Sequence, residues 1–281
     1  MATSPSLLSA GFSMGAAFAW GGADYLGGFA ARRANPTFLA AIVYGSGLVL
    51  MTALALLYHS PFPSHRAIFW ALAAGCFAGM SLANFYRALS LGSMGITAPL
   101  TAVLAAAIPA TVGIIREGLP SALQIAGFFL AAMGIWLISR TEGGTEVKGI
   151  GYAMMAGLGF AAFFLCIKQA GNGSAFWIAD LSRVTSLLVT AGVVLSTRTS
   201  FQLPRISLFI AIFAGFLDVG GSVFFVRATQ TGRLDSAVVL SSLYPVITVL
   251  FARIFLKEHF TAWKLAGIVA SLVAVPLIAV Q

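Results

Sequence analysis

One carboxylate, Asp218, sits near the middle of an almost unbroken apolar run from Ile206 to Val226. A helix rises about 1.5 Å per residue, which puts Asp218 ~18 Å from the Ile206 end. In a bilayer core about 30 Å thick, that is close to the midplane. A charged acid at such depth costs at least ~2.5 kcal/mol, so Asp218 should face a polar interior and not lipid. With Gly221, Ser222 and Phe225 it forms a stripe of carboxylate, gap, hydroxyl and ring on one helix face. That stripe suits a small molecule with a charged end. The plainer reading is that Asp218 partners Arg227 or Lys168 and ties helices together.

Other polar residues fall in apolar runs at helical spacing. Trp20, Asp24 and Gly27 share a face and read as a cavity wall with an aromatic floor; the plainer reading is an interfacial Trp and an Asp bonded to a neighbouring helix. Ser81, Asn84 and Ala88 line one stripe, where Asn84 either meets substrate or bonds helix to helix, a contact averaging only ~0.6 kcal/mol in membrane interiors. Thr97 and Thr101 either reach a ligand or satisfy their own helix backbone, the commoner use of small hydroxyls. Tyr244, Pro245 and Thr248 form a further stripe. There the Pro frees a carbonyl and can bend the helix, and a buried Tyr hydroxyl wants a partner.

Phe160, Phe163 and Phe164 have the spacing of ordinary packing, with Lys168 following on the face of Phe164 as a snorkelling cation or a carboxylate ligand. Asp180 and Arg183 are i, i+3 neighbours and read as a self-satisfied pair. Glu117 beside Arg116, and Glu258 beside Lys257, read as loop-level salt bridges worth little when exposed. Catalytic sets are missing. His59, His65 and His259 are scattered over loops without metal spacing, and no Gly-Lys-Ser/Thr phosphate loop occurs. The residues thus predict neither an enzyme nor a cofactor, and no ATP-driven pumping within this chain.

The elements that must position these residues follow from composition. The chain is 59% apolar and 9% charged, against about 25% charged in an average soluble domain. That predicts an all-α integral membrane protein, since the runs are solid and not alternating. The net charge of +8 is spread over segment ends, as interfacial anchoring requires, and predicts no nucleic-acid partner. Runs of about 20 apolar residues number ten: Leu7–Ala30, Phe38–Tyr58, Ala67–Leu91, Ile96–Ile115, Ala122–Ser139, Gly149–Gln169, Ala175–Leu195, Ile206–Gln230, Ser236–Leu256 and Ala262–Val280.

The most polar break, Thr141 to Glu146, divides the chain into units of five spans, residues 1–142 and 143–281. These units echo each other. Arg87-Ala88-Leu89-Ser90-Leu91-Gly92 returns as Arg227-Ala228-Thr229-Gln230-Thr231-Gly232, and Gln124-Ile125-Ala126-Gly127 as Lys264-Leu265-Ala266-Gly267. Earlier spans match more weakly, through Gly15 and Phe18 against Gly157 and Phe160. A common spacing of about 140 residues indicates duplication. Five is odd, so the second unit should enter the membrane from the opposite side, the construction of transporters with a central site.

Trp20-Gly21, the run Ala88 to Gly92, Tyr244-Pro245-Val246, Glu117 and Glu258 together resemble the EamA family of drug/metabolite transporters, and within it the aromatic amino acid exporters. The first half departs from that pattern, with Leu104-Ala105 where the second has Tyr244-Pro245. The resemblance implies ten transmembrane helices in two inverted five-helix repeats around a central cavity, in a bacterial-type inner (plasma) membrane. It also implies both termini inside, whereas the distribution of Lys and Arg favours both outside.

The expected function is a secondary transporter or facilitator exporting small metabolites, amino acids foremost, by alternating access. Multidrug or lipophilic-cation export is the nearer alternative, and a non-transporting scaffold or intramembrane enzyme the farther one. The expected partners are the substrate and the bilayer, with no oligomer required. Coupling to protons through Asp218 is a separate reading, since desolvation favours a neutral acid. The expected substrate-facing residues are Trp20, Asp24, Asn84, Thr101, Phe164, Lys168, Asp218, Ser222, Phe225 and Tyr244, with hinges at Pro99, Gly220, Gly221 and Pro245.

Overall fold

The computed structural model of the chain describes residues 5–91, 94–139, 149–197, 203–256 and 261–279. Every element among them is a helix: α1 Pro5–Ala31, α2 Pro36–Leu57, α3 His65–Leu91, α4 Met94–Glu117, α5 Ala122–Ser139, α6 Ile150–Ala170, α7 Ala175–Ser196, α8 Arg205–Thr231, α9 Leu234–Ser241, α10 Tyr244–Leu256 and α11 Ala262–Ala279. Among the described residues, six helices are long and apolar enough to cross a membrane, judged by length and composition. Large apolar side chains such as Val49, Phe69, Phe129 and Phe209 stand exposed on the outside. An outer face that apolar suits lipid and not water.

Local chemistry sets the helix ends. The Asn35 side chain accepts hydrogen bonds from the amides of Thr37 and Phe38 (3.0 and 3.2 Å), and Pro36 follows at the first turn, where its missing N–H costs nothing. The largest difference from the ten-run expectation lies in Ser236–Leu256. It is two helices, α9 and α10, separated at Ser242-Leu243. Pro245 opens α10, and a proline there has no amide to continue the preceding ladder.

Packing repeats when the halves are exchanged. α1 lies on α8 as α6 lies on α3; α2 meets α8 as α7 meets α3; α4 covers α6 as α9 and α10 cover α1. The contacts of α2 with α7 and of α5 with α11 are their own counterparts. Gly75 and Gly215, 140 residues apart, show why the helices approach so closely. A methyl on Gly75 would run into the carbonyl of Ser182, and one on Gly215 into Ser46 and the carbonyl of Val43. Hydroxyls stitch the same seams: Ser186 donates to the Gly75 carbonyl at 2.9 Å and Ser46 to that of Ile212 at 3.4 Å. Small residues at crossings are how helices pack without a hydrophobic drive between them.

Candidate functional site

A cavity lies between the halves. The first half contributes Trp20 and Asp24 from α1, Tyr44 from α2, Ala78 and Leu82 from α3 and Ala105 from α4. The second half contributes Phe160, Phe163 and Phe164 from α6, Ser182, Arg183 and Ser186 from α7, Asp218 and Ser222 from α8, and Tyr244 from α10. About 60 Å³ of it is open to water-sized spheres, room for a few waters. An aromatic side chain therefore needs the helices to part before it can enter.

The apolar wall is a ring cluster. Phe164 and Phe225 have centroids 4.7 Å apart, and Trp20 lies 5.6 Å from Phe225 and 5.9 Å from Phe164. Gly221 makes this possible, because any side chain there would occupy the space of the Trp20 indole. Phe225 is fully buried behind the lining and supports it.

The polar wall centres on Arg183, which is 1% exposed. Its guanidinium pairs with Asp218, donates to the Ser222 hydroxyl at 3.1 Å and to the Ala179 carbonyl at 3.3 Å, and its Nε has no partner among the described residues. Ser222 in turn donates to the Asp218 carbonyl at 3.0 Å, which fixes it beside the pair. The Tyr44 hydroxyl donates to the Ala78 carbonyl at 2.8 Å, whereas the buried Tyr244 hydroxyl has no partner among the described residues. Asp24 lines the cavity, and among the described residues nothing donates a hydrogen bond to its carboxylate.

Six expected residues therefore lie together on the cavity: Trp20, Asp24, Phe164, Asp218, Ser222 and Tyr244. Three others lie elsewhere. Asn84 donates to Met80 in its own helix at 2.8 Å. Thr101 is fully buried and bonds the carbonyls of Thr97 (2.9 Å) and Ala153 (3.0 Å), fastening α4 to α6. Lys168 lies one turn beyond Phe164, where it pairs with Glu117 at 3.0 Å and donates to the Thr229 carbonyl at 3.3 Å. Pro99, Gly220 and Gly221 fall inside unbroken helices, and Pro245 stands at the α9–α10 break.

Several pairings differ from the sequence expectation. Asp218 partners Arg183, and neither Arg227 nor Lys168. Arg183 is not spent on Asp180, whose carboxylate accepts from Thr52 at 3.0 Å. Arg227 faces an open recess shared with Arg66 and Lys168. Phe160 and Phe163 are cavity wall and not mere packing. Glu117 bridges to Lys168 and accepts the Leu234 amide at 3.0 Å. Next to it, Arg233 grips Asp235 at 2.7 Å and the Gly118 carbonyl at 2.7 Å, and the hydrogen bonds to Asp235 push its guanidinium above the usual arginine range. Glu258 and Lys257 lie outside the described residues.

Tyr44, Ser182, Arg183 and Ser186 are cavity residues that sequence reasoning missed. A usable signal existed for Arg183: a cation inside an apolar span has few reasons to be there.

A solved crystal structure overlays with a TM-score of 0.76 at 14% identity, covering 96% of this chain and 95% of that one, and establishes the fold. Solute carrier family 35 member G1 of Homo sapiens is 28% identical over 146 residues, 50% of this chain and 40% of its own length. Its Mus musculus counterpart is 27% identical over 115 residues, 41% of this chain and 31% of its own length. The chain thus spans well under half of these two relatives. An uncharacterised protein of Methanocaldococcus jannaschii is 28% identical over 135 residues, 48% of this chain and 96% of its own length. Residues 147–280 match the EamA-like transporter family. The second half of the chain is thus similar to EamA-like transporters, and the long apolar helices fit a multi-pass helical membrane protein.

Proposed function

We propose that this protein is a secondary transporter or facilitator of small metabolites, amino acids first among them, working by alternating access. One observation carries the reading: an aromatic-walled cavity with a buried ionic set, built from both halves of an otherwise apolar bundle. Trp20, Phe160, Phe164 and Tyr244 offer rings to an apolar side chain. Asp24, Arg183, Asp218 and Ser222 offer charge and hydrogen bonds to its polar end.

The exchange pattern of helix contacts is what a two-fold relation between two five-span units produces. With an odd number of spans per unit, that relation reads as inverted, with the α9–α10 pair as one broken span. The archaeal relative, matched almost end to end by about half of this chain, fits a unit of that length, and units at 1–142 and 143–281 belong to the proposal. Export from the cell interior across a bacterial-type inner membrane belongs to the same proposal. Proton coupling through Asp218 gains little, because Arg183 already supplies its counter-charge.

Purified protein in liposomes should exchange labelled phenylalanine or tryptophan, tested with and without a pH gradient. Failure to move any amino acid in a broad panel refutes the amino acid assignment. Inhibition by quaternary ammonium compounds with no amino acid movement would favour lipophilic-cation export, a reading that the surplus carboxylate in the cavity favours.

A further inference from the structure

Among the described residues, two carboxyl side chains and one guanidinium line the cavity: Asp24, Asp218 and Arg183. Arg183 and Asp218 neutralise each other. Asp24 is left over, with no donor aimed at its carboxylate among the described residues. Around it stand groups that cannot supply a cation. On the same cavity lie the hydroxyls of Tyr44 on α2 and Tyr244 on α10, and the Asp218 carboxylate on α8. Of these, Tyr44 is committed to the Ala78 carbonyl. Tyr244, 6% exposed and on the same cavity, has a buried hydroxyl without a partner among the described residues.

The rings complete the pattern. Trp20 sits one helical turn from Asp24 on the same face, and Phe164 and Phe225 pack against Trp20. A carboxylate beside aromatic faces is the chemistry that recognises an ammonium group, by charge on one side and by the negative ring faces on the other. An anion at that place would meet two carboxylates against one guanidinium that is already paired.

We infer that Asp24 is the residue that selects the substrate, by binding a cationic amine whose apolar part lies on Trp20 and Phe164. This deepens the transporter reading and rests on it for the word substrate. Arg183 and Asp218 hold the cavity wall in place, and Tyr244 supplies the remaining hydrogen bond to the ligand. The class of ligand is an amine with an aromatic or aliphatic tail, with or without a carboxylate. Acids of the same shape that lack the amine are rejected.

Two probes of matched shape and opposite charge test this: phenylethylamine and 3-phenylpropionate. Binding is measured by isothermal titration on the full chain in detergent or nanodiscs. Phenylethylamine should bind the wild-type protein and 3-phenylpropionate should bind at least tenfold more weakly. Asp24→Asn should lose about 30-fold in phenylethylamine affinity, as removal of one member of a desolvated charge pair does, while unfolding at the wild-type temperature. Asp24→Glu should recover most of the loss, which separates recognition from folding. Absence of phenylethylamine binding, equal binding of the two probes, or equal affinity in Asp24→Asn would overturn the assignment. Liposome exchange of labelled phenylalanine, run in parallel, reports on the transporter reading separately. Exchange that survives Asp24→Asn sinks the role of Asp24 alone. A wild-type protein that binds phenylethylamine through Asp24 but moves nothing sinks the transporter reading alone.

Discussion

The two halves of the cavity match in position and differ in chemistry. Residues 140 apart fall on its wall in pairs: Trp20 with Phe160, Asp24 with Phe164, Ala78 with Asp218, and Leu82 with Ser222. In three of these four pairs a polar residue stands against an apolar one. The frame has matching helix crossings, as Gly75 and Gly215 show, while the wall sets Asp24, Asp218 and Ser222 each against an apolar counterpart. Strict symmetry would set each carboxylate against another 140 residues away, whereas Asp24 meets Phe164 and Asp218 meets Ala78 in that relation. Asymmetry leaves one charged wall and one ring wall, which a molecule with a charged end and an apolar end can read. Scaffold positions and wall positions therefore answer to different constraints.

The largest effect should come from the wall residue that is most deeply committed. Asp218→Ala leaves the Arg183 guanidinium buried without its counter-charge, at a cost of about 3–5 kcal/mol. Thermal unfolding in detergent should show the loss, and Asp218→Leu combined with Arg183→Met should recover much of it. No recovery in the double variant would mean that the pair does more than balance charge.

Gly75→Ala and Gly215→Ala probe the frame. Both force a methyl against a neighbouring helix, and overpacking of this kind costs about 1–3 kcal/mol. The two variants should lose stability to a similar extent, and a large loss in only one would break the equivalence of the halves. Glu117→Gln removes a half-exposed pair with Lys168, worth less than about 1 kcal/mol and weakening with added salt. The smallest change is expected of Tyr244→Phe. Its hydroxyl has no partner among the described residues, so stability should hold within about 0.5 kcal/mol while affinity for an amine probe falls.

Much of the frame was legible in the chain. Solid apolar runs dictate membrane helices, and the Arg-Ala pairs at 87 and 227 have the 140-residue spacing that Gly75 and Gly215 share. The break at Ser242-Leu243 was not foreseen, because the run Ser236–Leu256 stays apolar across it and only Pro245 marks the place. The wall was read in part. Asp24 and Asp218 stood out because a carboxylate in an apolar span is costly. Arg183 was missed because Asp180 lies i−3 and offered a local partner, whereas the helix turns the guanidinium toward α8. Phe160 was aligned with Phe18 at a spacing of 142, yet the cavity sets it against Trp20 at 140. Carrying the α3–α8 spacing into α1 and α6 would have placed both rings on the wall.

Asn84 and Thr101 lie off the cavity lining and share one feature. A polar side chain in a membrane helix can satisfy itself on a carbonyl a turn away, and both do so.

Passage through the cavity is tested most directly by blocking it. Phe160→Cys, in a Cys76→Ser and Cys166→Ala background, places one thiol on the cavity wall. Reaction with a water-soluble methanethiosulfonate should stop counterflow of labelled phenylalanine in liposomes, and excess unlabelled phenylalanine should slow the reaction. Full labelling with counterflow unchanged would show that the substrate does not travel through this cavity.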